Sequence, residues 1–205
     1  MAGIIGKKIG MTRLFTEDGG AIPVTVIEAG PCKVTAVRSK ERDGYAAVQL
    51  AFGETAERKL SGGEFGHLRK ADAPPMRTLI EFRDLDAEHQ IGDEVKVDSF
   101  EAGQRVKVSA TAIGKGFAGT ISRHGFSRGP VSHGSRNVRA PGSIGASADP
   151  ARVFKGTRMP GRKGGKRVTQ RGLEVVEIDA AQNLMLLRGA VPGPKGAAVE
   201  VRTDA

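Results

Sequence analysis

The chain has 205 residues and carries 32 Lys and Arg against 23 Asp and Glu, giving a net charge of +9 and a pI near 10.0. A domain this basic most often binds a polyanion, either a nucleic acid or an anionic membrane surface. The sequence has no long apolar span and no amphipathic basic helix, which argues against a membrane. The first residues lack the apolar core of a signal peptide, and the single Cys32 excludes an intramolecular disulfide and fits a reducing cytoplasm.

Short runs rich in Ile and Val alternate with turn signals along the first half of the chain. Gly3–Phe15 and 21–28 flank Glu17-Asp18-Gly19-Gly20, which predicts a β-hairpin. The range 56–71 is ambiguous and fits a short helix. Further strands are predicted at 33–38, 45–52, 78–83, 93–97 and 105–113, and then at 173–178, 184–187 and 198–202.

The number and spacing of these strands predict a mainly β fold with a closed β-barrel rather than βαβ units. The barrel domain would comprise 1–112 and 173–205. Residues 113–172 would form a long, irregular, Gly/Arg-rich basic insertion.

The insertion contains more than the whole net charge of the chain. It has 13 Lys and Arg and a single acid, Asp149, so it carries +12, whereas the remainder carries −3. It also contains 13 of the 29 glycines and no sustained helical or strand periodicity. Ordering each residue costs roughly 1–2 kcal/mol of backbone entropy. A segment with so few large apolar residues buries too little apolar surface to offset that cost. The segment is therefore either a disordered linker or a loop held by a partner, and its charge favours the second.

Two glycine-rich motifs within the insertion resemble nucleotide-binding loops. Gly114-Lys115-Gly116-Phe117-Ala118-Gly119 fits G-x-G-x-x-G, but no long helix or suitably spaced acid follows it. The run 161–167 lacks the spacing and the Ser or Thr of a phosphate loop, although its glycines and cations suit phosphate contacts. Neither motif supports a nucleotide site.

The sequence offers no basis for enzyme chemistry, a cofactor or a metal site. His124 and His133 are nine residues apart, with too few further ligands for zinc. Cys32 is far from any histidine in the sequence, and no paired carboxylates stand out. We therefore expect that the protein is not an enzyme.

Three aromatic residues, Phe117, Phe126 and Phe154, lie among Arg and Gly in the insertion. They could stack on exposed RNA bases. Local anchoring of the loop is the favoured interpretation, because aromatic residues that stack on RNA usually lie on a sheet face.

Motifs over nearly the whole chain, in the same order, resemble bacterial large-subunit ribosomal protein L3. They are Gly6-Lys7-Lys8-Ile9-Gly10-Met11-Thr12-Arg13-Leu14-Phe15, Ala112-Ile113-Gly114-Lys115-Gly116-Phe117-Ala118-Gly119, Arg123-His124, Gly129-Pro130, Ser132-His133-Gly134-Ser135, Pro141-Gly142-Ser143-Ile144-Gly145, Val153-Phe154-Lys155-Gly156, Asn183-Leu184 and Gly189-Ala190-Val191-Pro192-Gly193.

The resemblance implies a translation-protein-type β-barrel with an extension that runs through rRNA toward the peptidyl-transferase centre. It also implies binding near the 3′ end of large-subunit rRNA, a role in nucleating subunit assembly, and ribosomal proteins L14 and L19 as neighbours in the cytoplasmic ribosome. Some relatives carry a methylated Gln after Gly-Ser-Ile-Gly. Ala146-Ser147-Ala148-Asp149 stand there in this chain, so that modification cannot be transferred.

We expect the rRNA-binding residues to be the cations and histidines of the insertion and of the first strand. They are Lys7, Lys8, Arg13, Lys115, Arg123, His124, Arg128, His133, Arg136, Arg139, Arg152, Lys155, Arg158, Arg162, Lys163, Lys166, Arg167 and Arg171. The uncharged run 141–148 is expected to be the tip of the extension, either as a plain turn or as a close fit to RNA near the catalytic centre. The tip residues are Gly142, Ser143, Ile144, Gly145, Ala146 and Ser147.

Two other classes of function fit the sequence less well. A translation factor that uses GTP would need a phosphate loop, and a DNA-packing protein remains open on charge alone. A nucleic-acid enzyme would need clustered acids for Mg²⁺, and Asp149 alone does not suffice.

Overall fold

The computed structural model describes residues 2–83 and 89–204. They form two compact units. One, the barrel unit, comprises residues up to 112 together with those from 167 onward; the other, the inserted unit, comprises 113–166. The strands are β1 Gly3–Phe15, β2 Ala21–Ala29, β3 Cys32–Arg38, β4 Ala47–Glu54, β5 Met76–Phe82, β6 Glu94–Val95, β7 Arg105–Thr111, β8 Phe117–Ala118, β9 Gly161–Arg162, β10 Arg167–Asp179, β11 Leu184–Arg188 and β12 Ala198–Thr203. The α-helices are α1 Lys40–Asp43, α2 Gly62–Lys70 and α3 Thr120–His124, with 3₁₀ turns at Glu57–Lys59 and Val97–Ser99.

Six strands of the barrel unit close into a barrel in the order β1-β12-β7-β10-β11-β2. Every neighbouring pair in it is antiparallel. Apolar residues recur at alternate positions of β7 and β12 and face the core: Val106, Val108 and Ala110 of β7 and Val199 and Val201 of β12 are buried. The predicted mainly β class with a closed barrel is confirmed.

The remaining strands of the barrel unit form a second sheet in the order β5-β4-β3-β6. The sequence predicts strands at these positions but not their separation from the barrel. The apolar side chains of this sheet join those of the barrel in one core, with Leu50 and Phe82 fully buried beside Ile4, Ile27 and Val201. Helix α2 lies within the ambiguous range 56–71 and begins with a capping box between Ser61 and Glu64.

The inserted unit has a folded base and a long irregular part. Strands β8 and β9 pair Phe117 with Arg162 and Ala118 with Gly161. Helix α3 follows β8 and ends at Gly125, which adopts φ +72°. Residues 126–160, all of which the structure describes, contain no helix or strand, as the absence of periodicity predicts.

Strand β10 begins at Arg167, whereas the sequence predicts a return to the barrel at residue 173. Arg167 to Gln170 pair with Thr111 to Val108 of β7. All six residues 167–172 are exposed, so they lack the alternation of buried apolar side chains that marks a strand in sequence. Among the described residues, no helix is both long and apolar enough to cross a membrane.

Candidate nucleic-acid interface

The inserted unit has a large excess of cations over acids. It contains eleven Lys and Arg and one acid, Asp149, for a net charge of +10, while the other residues of the chain sum to −1. Among the described residues, none of these eleven cations lies within ion-pair distance of a carboxylate. Their charge is therefore available to a partner.

Nine of the eleven cations have exposed side chains, as does His133. The nine are Lys115, Arg128, Arg136, Arg139, Arg152, Lys155, Arg158, Arg162 and Lys166. Exposed cations spaced along an irregular segment can neutralise successive phosphates of a nucleic acid. The rRNA contacts expected of these residues remain predictions.

Three other predicted RNA ligands form contacts inside the inserted unit. Arg123 Nη1 donates to the Met159 carbonyl at 2.6 Å, and His124 Nε2 donates to the same carbonyl at 3.0 Å. Lys163 Nζ donates to the carbonyl of Ser122 and lies 3.3 Å from its hydroxyl. These side chains are half-buried, and they join the two ends of the inserted unit into what we call its root, residues 113–125 and 159–166.

Backbone contacts complete the root. The amide of Lys115 donates to the carbonyl of Lys163 at 2.8 Å, and the amide of Lys163 donates to the carbonyl of Gly116 at 2.9 Å. Gly164, at φ +70°, lies so close to Ile113 that a Cβ atom there would overlap its carbonyl oxygen. The root is thus an ordered base that holds three of the nine exposed cations, and the other six lie in the irregular part, 126–158.

The five predicted ligands outside the inserted unit differ in what they contact. Lys7 and Arg13 are exposed on β1. Lys8 Nζ donates to the carbonyls of Val191 and Gly193 at 2.7 and 3.0 Å. Arg167 Nε donates to Glu200 at 3.2 Å, and Arg171 Nη2 to Asp204 at 3.1 Å. Lys8, Arg167 and Arg171 therefore also stabilise the barrel unit.

The contacts of Lys8 lead to a prediction that separates stability from binding. Lys8→Gln should lower the free energy of unfolding by about 1–2 kcal/mol, because hydrogen bonds from a charged donor are lost. Its neighbour Lys7 makes no such contact in the described structure and provides the matched control, Lys7→Gln, which should leave stability nearly unchanged. Urea unfolding of both variants measures the difference. Equal stabilities would show that the two carbonyl contacts of Lys8 contribute nothing.

The predicted tip, 142–147, is entirely exposed and forms an open concave loop with Arg152 and Val153. The Ser143 hydroxyl donates to the Gly145 carbonyl at 3.0 Å. Gly142 adopts φ +81°, which glycine accommodates without steric cost. The tip is therefore an exposed loop, and its close fit to RNA stays a prediction.

The three phenylalanines of the inserted unit do not share one environment. Phe117 is 80% exposed and Phe154 is 61% exposed, with the Arg152 guanidinium 5.6 Å from the Phe154 ring centre. Phe126 is half-buried, with its ring 6.1 Å from that of His124. Local anchoring therefore describes Phe126, but it is wrong for Phe117.

The barrel unit holds a cationic cleft that the sequence does not indicate. Lys7 of β1 and Arg77 of β5 line it together with Glu54, Thr78 and residues 196–198, and its volume is about 390 Å³. Arg77 lies in an ordinary strand pattern, so nothing in the sequence distinguishes it from a solvated surface cation.

The described residues contain no group of three or more His, Cys, Asp or Glu that could hold a metal ion. Cys32 is buried, and its thiol lies 3.3 Å from the carbonyl of Ile5. Burial raises the pKa of this thiol to about 12, which the hydrogen bond only partly opposes. It is therefore protonated at neutral pH and a poor nucleophile.

Comparisons with known proteins identify the family of the chain. The family model for ribosomal protein L3 matches residues 78–183. A protein of Nostoc punctiforme, named large ribosomal subunit protein uL3, is 53% identical over 97% of this chain and 95% of its own length. The proteins of the same name from Prochlorococcus marinus and Trichormus variabilis are 49% and 52% identical, over 98% and 97% of this chain and 94% and 95% of their own lengths. The chain therefore belongs to the ribosomal protein L3 family.

Proposed function

We propose that the chain is a structural constituent of the large ribosomal subunit, where its inserted unit binds rRNA. The observation that carries this proposal is the set of nine exposed cations that have no acid partner in the described structure. Bringing so many like charges together is unfavourable unless a polyanion neutralises them. Relatives about half identical over nearly the full length bear the name of a large-subunit protein. Membership of this non-enzymatic family also agrees with the expectation that the chain is not an enzyme.

The finer parts of the proposal rest on the family resemblance. The binding site would lie near the 3′ end of large-subunit rRNA, and early binding there would help nucleate assembly. Ribosomal proteins L14 and L19 would be neighbours. The tip, 142–147, would approach the peptidyl-transferase centre. The exposed cations on either side of the uncharged tip support this arrangement. The cations would supply affinity for phosphates, and the tip would supply close contact with the RNA.

Salt dependence tests the rRNA-binding proposal directly. If about six exposed cations each neutralise one phosphate, a plot of log K against log salt concentration should fall with a slope of roughly −4 to −5. Filter binding of the full-length protein to fragments from the 3′ region of large-subunit rRNA measures this slope. Replacing Arg152, Lys155 and Arg158 together with Gln should make the slope shallower by about 2–3 and impair assembly. A slope near zero for the unaltered chain would contradict the proposal.

The tip is tested by adding bulk without changing charge. Gly145→Leu or Ser147→Leu should leave incorporation into large subunits nearly intact, because the cations that supply affinity are unchanged. Peptidyl transfer, or sensitivity to drugs that act at that centre, should change. Purified subunits carrying each variant are assayed for both. Normal assembly with unaltered activity and drug response would show that the tip is only a turn.

A further inference from the structure

The hairpin of β1 and β2 extends beyond the barrel. Strand β1 pairs with β12 over residues 3–7 but continues beside β2 as far as the pair Phe15 and Ala21. Strand β2 pairs with β11 only from Val24 onward. Residues 11–15 and 21–23, which we call the ribbon, are therefore two-stranded, and in the described structure the outer edge of β1 has no partner strand.

The register shows which backbone groups face that open edge. The amide of Gly189 donates to the carbonyl of Pro23, so the carbonyl of Pro23 points away from β1. Arg13 lies opposite Pro23, and in an antiparallel pair that is not hydrogen-bonded both residues direct their N–H and C=O groups outward. Met11 and Phe15 lie two residues to either side and have the same orientation. The open edge thus presents the backbone groups of these three residues.

Two apolar side chains of β1 in the ribbon are also exposed. Met11 is 54% exposed and Phe15 is 76% exposed. Two-stranded ribbons are marginally stable alone, and soluble proteins usually block free edges that carry apolar side chains. Met and Phe are enriched where proteins meet, as is Arg, here represented by Arg13. These features indicate an edge that is covered in the assembled state.

The charge of the ribbon identifies the kind of partner. Glu17 and Asp18 are exposed in the turn that joins its strands, and Arg13 is the only cation in residues 9–23, which sum to −1. Phosphates are therefore attracted there far less than to the inserted unit, and RNA cannot extend a β-ladder. Arg13, which the sequence predicts as an rRNA ligand, would contact a protein instead. We propose that the β1 edge of the ribbon accepts an extended segment of a basic protein of the large subunit as an added strand. Backbone hydrogen bonds would provide affinity, with Met11 and Phe15 providing apolar contact. The proposal rests on the proposed ribosomal function.

Photocrosslinking from position 15 in assembled subunits tests the partner's identity. Phe15→p-benzoylphenylalanine keeps an exposed aromatic ring and should not disturb the fold. In purified large subunits that contain the full-length variant, irradiation should give an adduct that survives ribonuclease and whose partner peptide is rich in Lys and Arg. The same replacement of Phe117, which is 80% exposed on the inserted unit, is the control and should give an RNA adduct. An adduct of position 15 with RNA, or none at all, would overturn the proposal.

A second pair of variants tests strand addition itself. In the chain that carries p-benzoylphenylalanine at position 15, Met11→Pro removes an N–H group that has no partner in the described structure. Met11→Val keeps this N–H group, and valine has the same number of side-chain carbons as proline. The proline variant should lower the yield of the protein adduct about 2- to 10-fold relative to the valine variant. Equal yields would refute added-strand pairing. If the unaltered chain did not co-sediment with large subunits, the proposed function would fail as well; failure of the crosslink alone would leave that function standing.

Discussion

A chain in which residues 112–166 are replaced by Asn-Gly is expected to unfold cooperatively yet to bind rRNA about 10³-fold more weakly than the full-length protein. Both apolar core clusters of the described structure consist of residues of the barrel unit. Thr111 and Arg167 are cross-strand partners, so a two-residue turn can join them as a hairpin. The eleven cations of the inserted unit are lost with the deletion, and with them most of the attraction for phosphates. Thermal unfolding by circular dichroism and filter binding measure the two effects.

The matched control for this deletion removes residues 116–170 instead. That deletion also removes Arg167 to Gln170, which pair with β7 and help to close the barrel. It should therefore unfold at a lower temperature than the Asn-Gly chain, although both chains lack the exposed part of the inserted unit. Loss of cooperative unfolding in the Asn-Gly chain would refute the independence of the barrel unit. If the Asn-Gly chain kept the full rRNA affinity, the role of the inserted unit in rRNA binding would be refuted.

The sequence predicts the strands well because their local signals agree. Runs rich in Val and Ile mark β1, β2 and β7, Asp18-Gly19-Gly20 marks the turn between the first two, and the structure places a strand at each run. The pairing partners could not be predicted in the same way. Alternation reveals which face of a strand is buried but not which strand lies beside it, so the separate sheet β5-β4-β3-β6 has no signature in the sequence.

The start of β10 shows a second reason why part of the fold could not be predicted from the sequence. Residues 167–172 are Arg-Val-Thr-Gln-Arg-Gly, which in sequence continue the basic insertion. They become a strand because β7 offers a free edge, and Arg167 and Arg171 reach Glu200 and Asp204. Burial raises the pKa of Asp204, but the hydrogen bonds from Arg171 and from the Gly172 amide outweigh it, so the pKa lies below its ordinary value. These contacts depend on residues more than thirty positions away.

The candidate interface is predictable as a charge pattern but not residue by residue. Net charge along the chain identifies the inserted unit, since electrostatic attraction depends on the sum of charges. It cannot distinguish a cation that meets phosphate from one that meets a carbonyl. Arg123 and Lys163 resemble Arg158 and Lys155 in sequence, yet only the first two bind carbonyls across the root.

Gly164→Ala is expected to disorder the root of the inserted unit. Gly164 adopts φ +70°, where an alanine costs roughly 1–2 kcal/mol. The added Cβ would also overlap the carbonyl oxygen of Ile113, which belongs to the backbone and cannot turn aside. The amides of Lys115 and Lys163, which close the root, should then exchange with solvent far faster. Hydrogen exchange followed by mass spectrometry measures the loss of protection at these two amides.

Gly116→Ala isolates the steric part of this effect. Gly116 adopts φ +64° in the same pair of segments, but a Cβ there would meet nothing within 4 Å. Gly116→Ala should therefore have only the conformational cost of the positive φ, which accelerates amide exchange about 5- to 30-fold. Gly164→Ala should accelerate exchange clearly more. The thermal transition of the barrel unit should be the same in both variants, because its core contains no residue of the root.

Equal exchange in the two variants would show that the approach of Gly164 to Ile113 does not hold the root together. Unequal exchange accompanied by weaker rRNA binding would show that the order of the root is what presents Lys115, Arg162 and Lys166 to RNA.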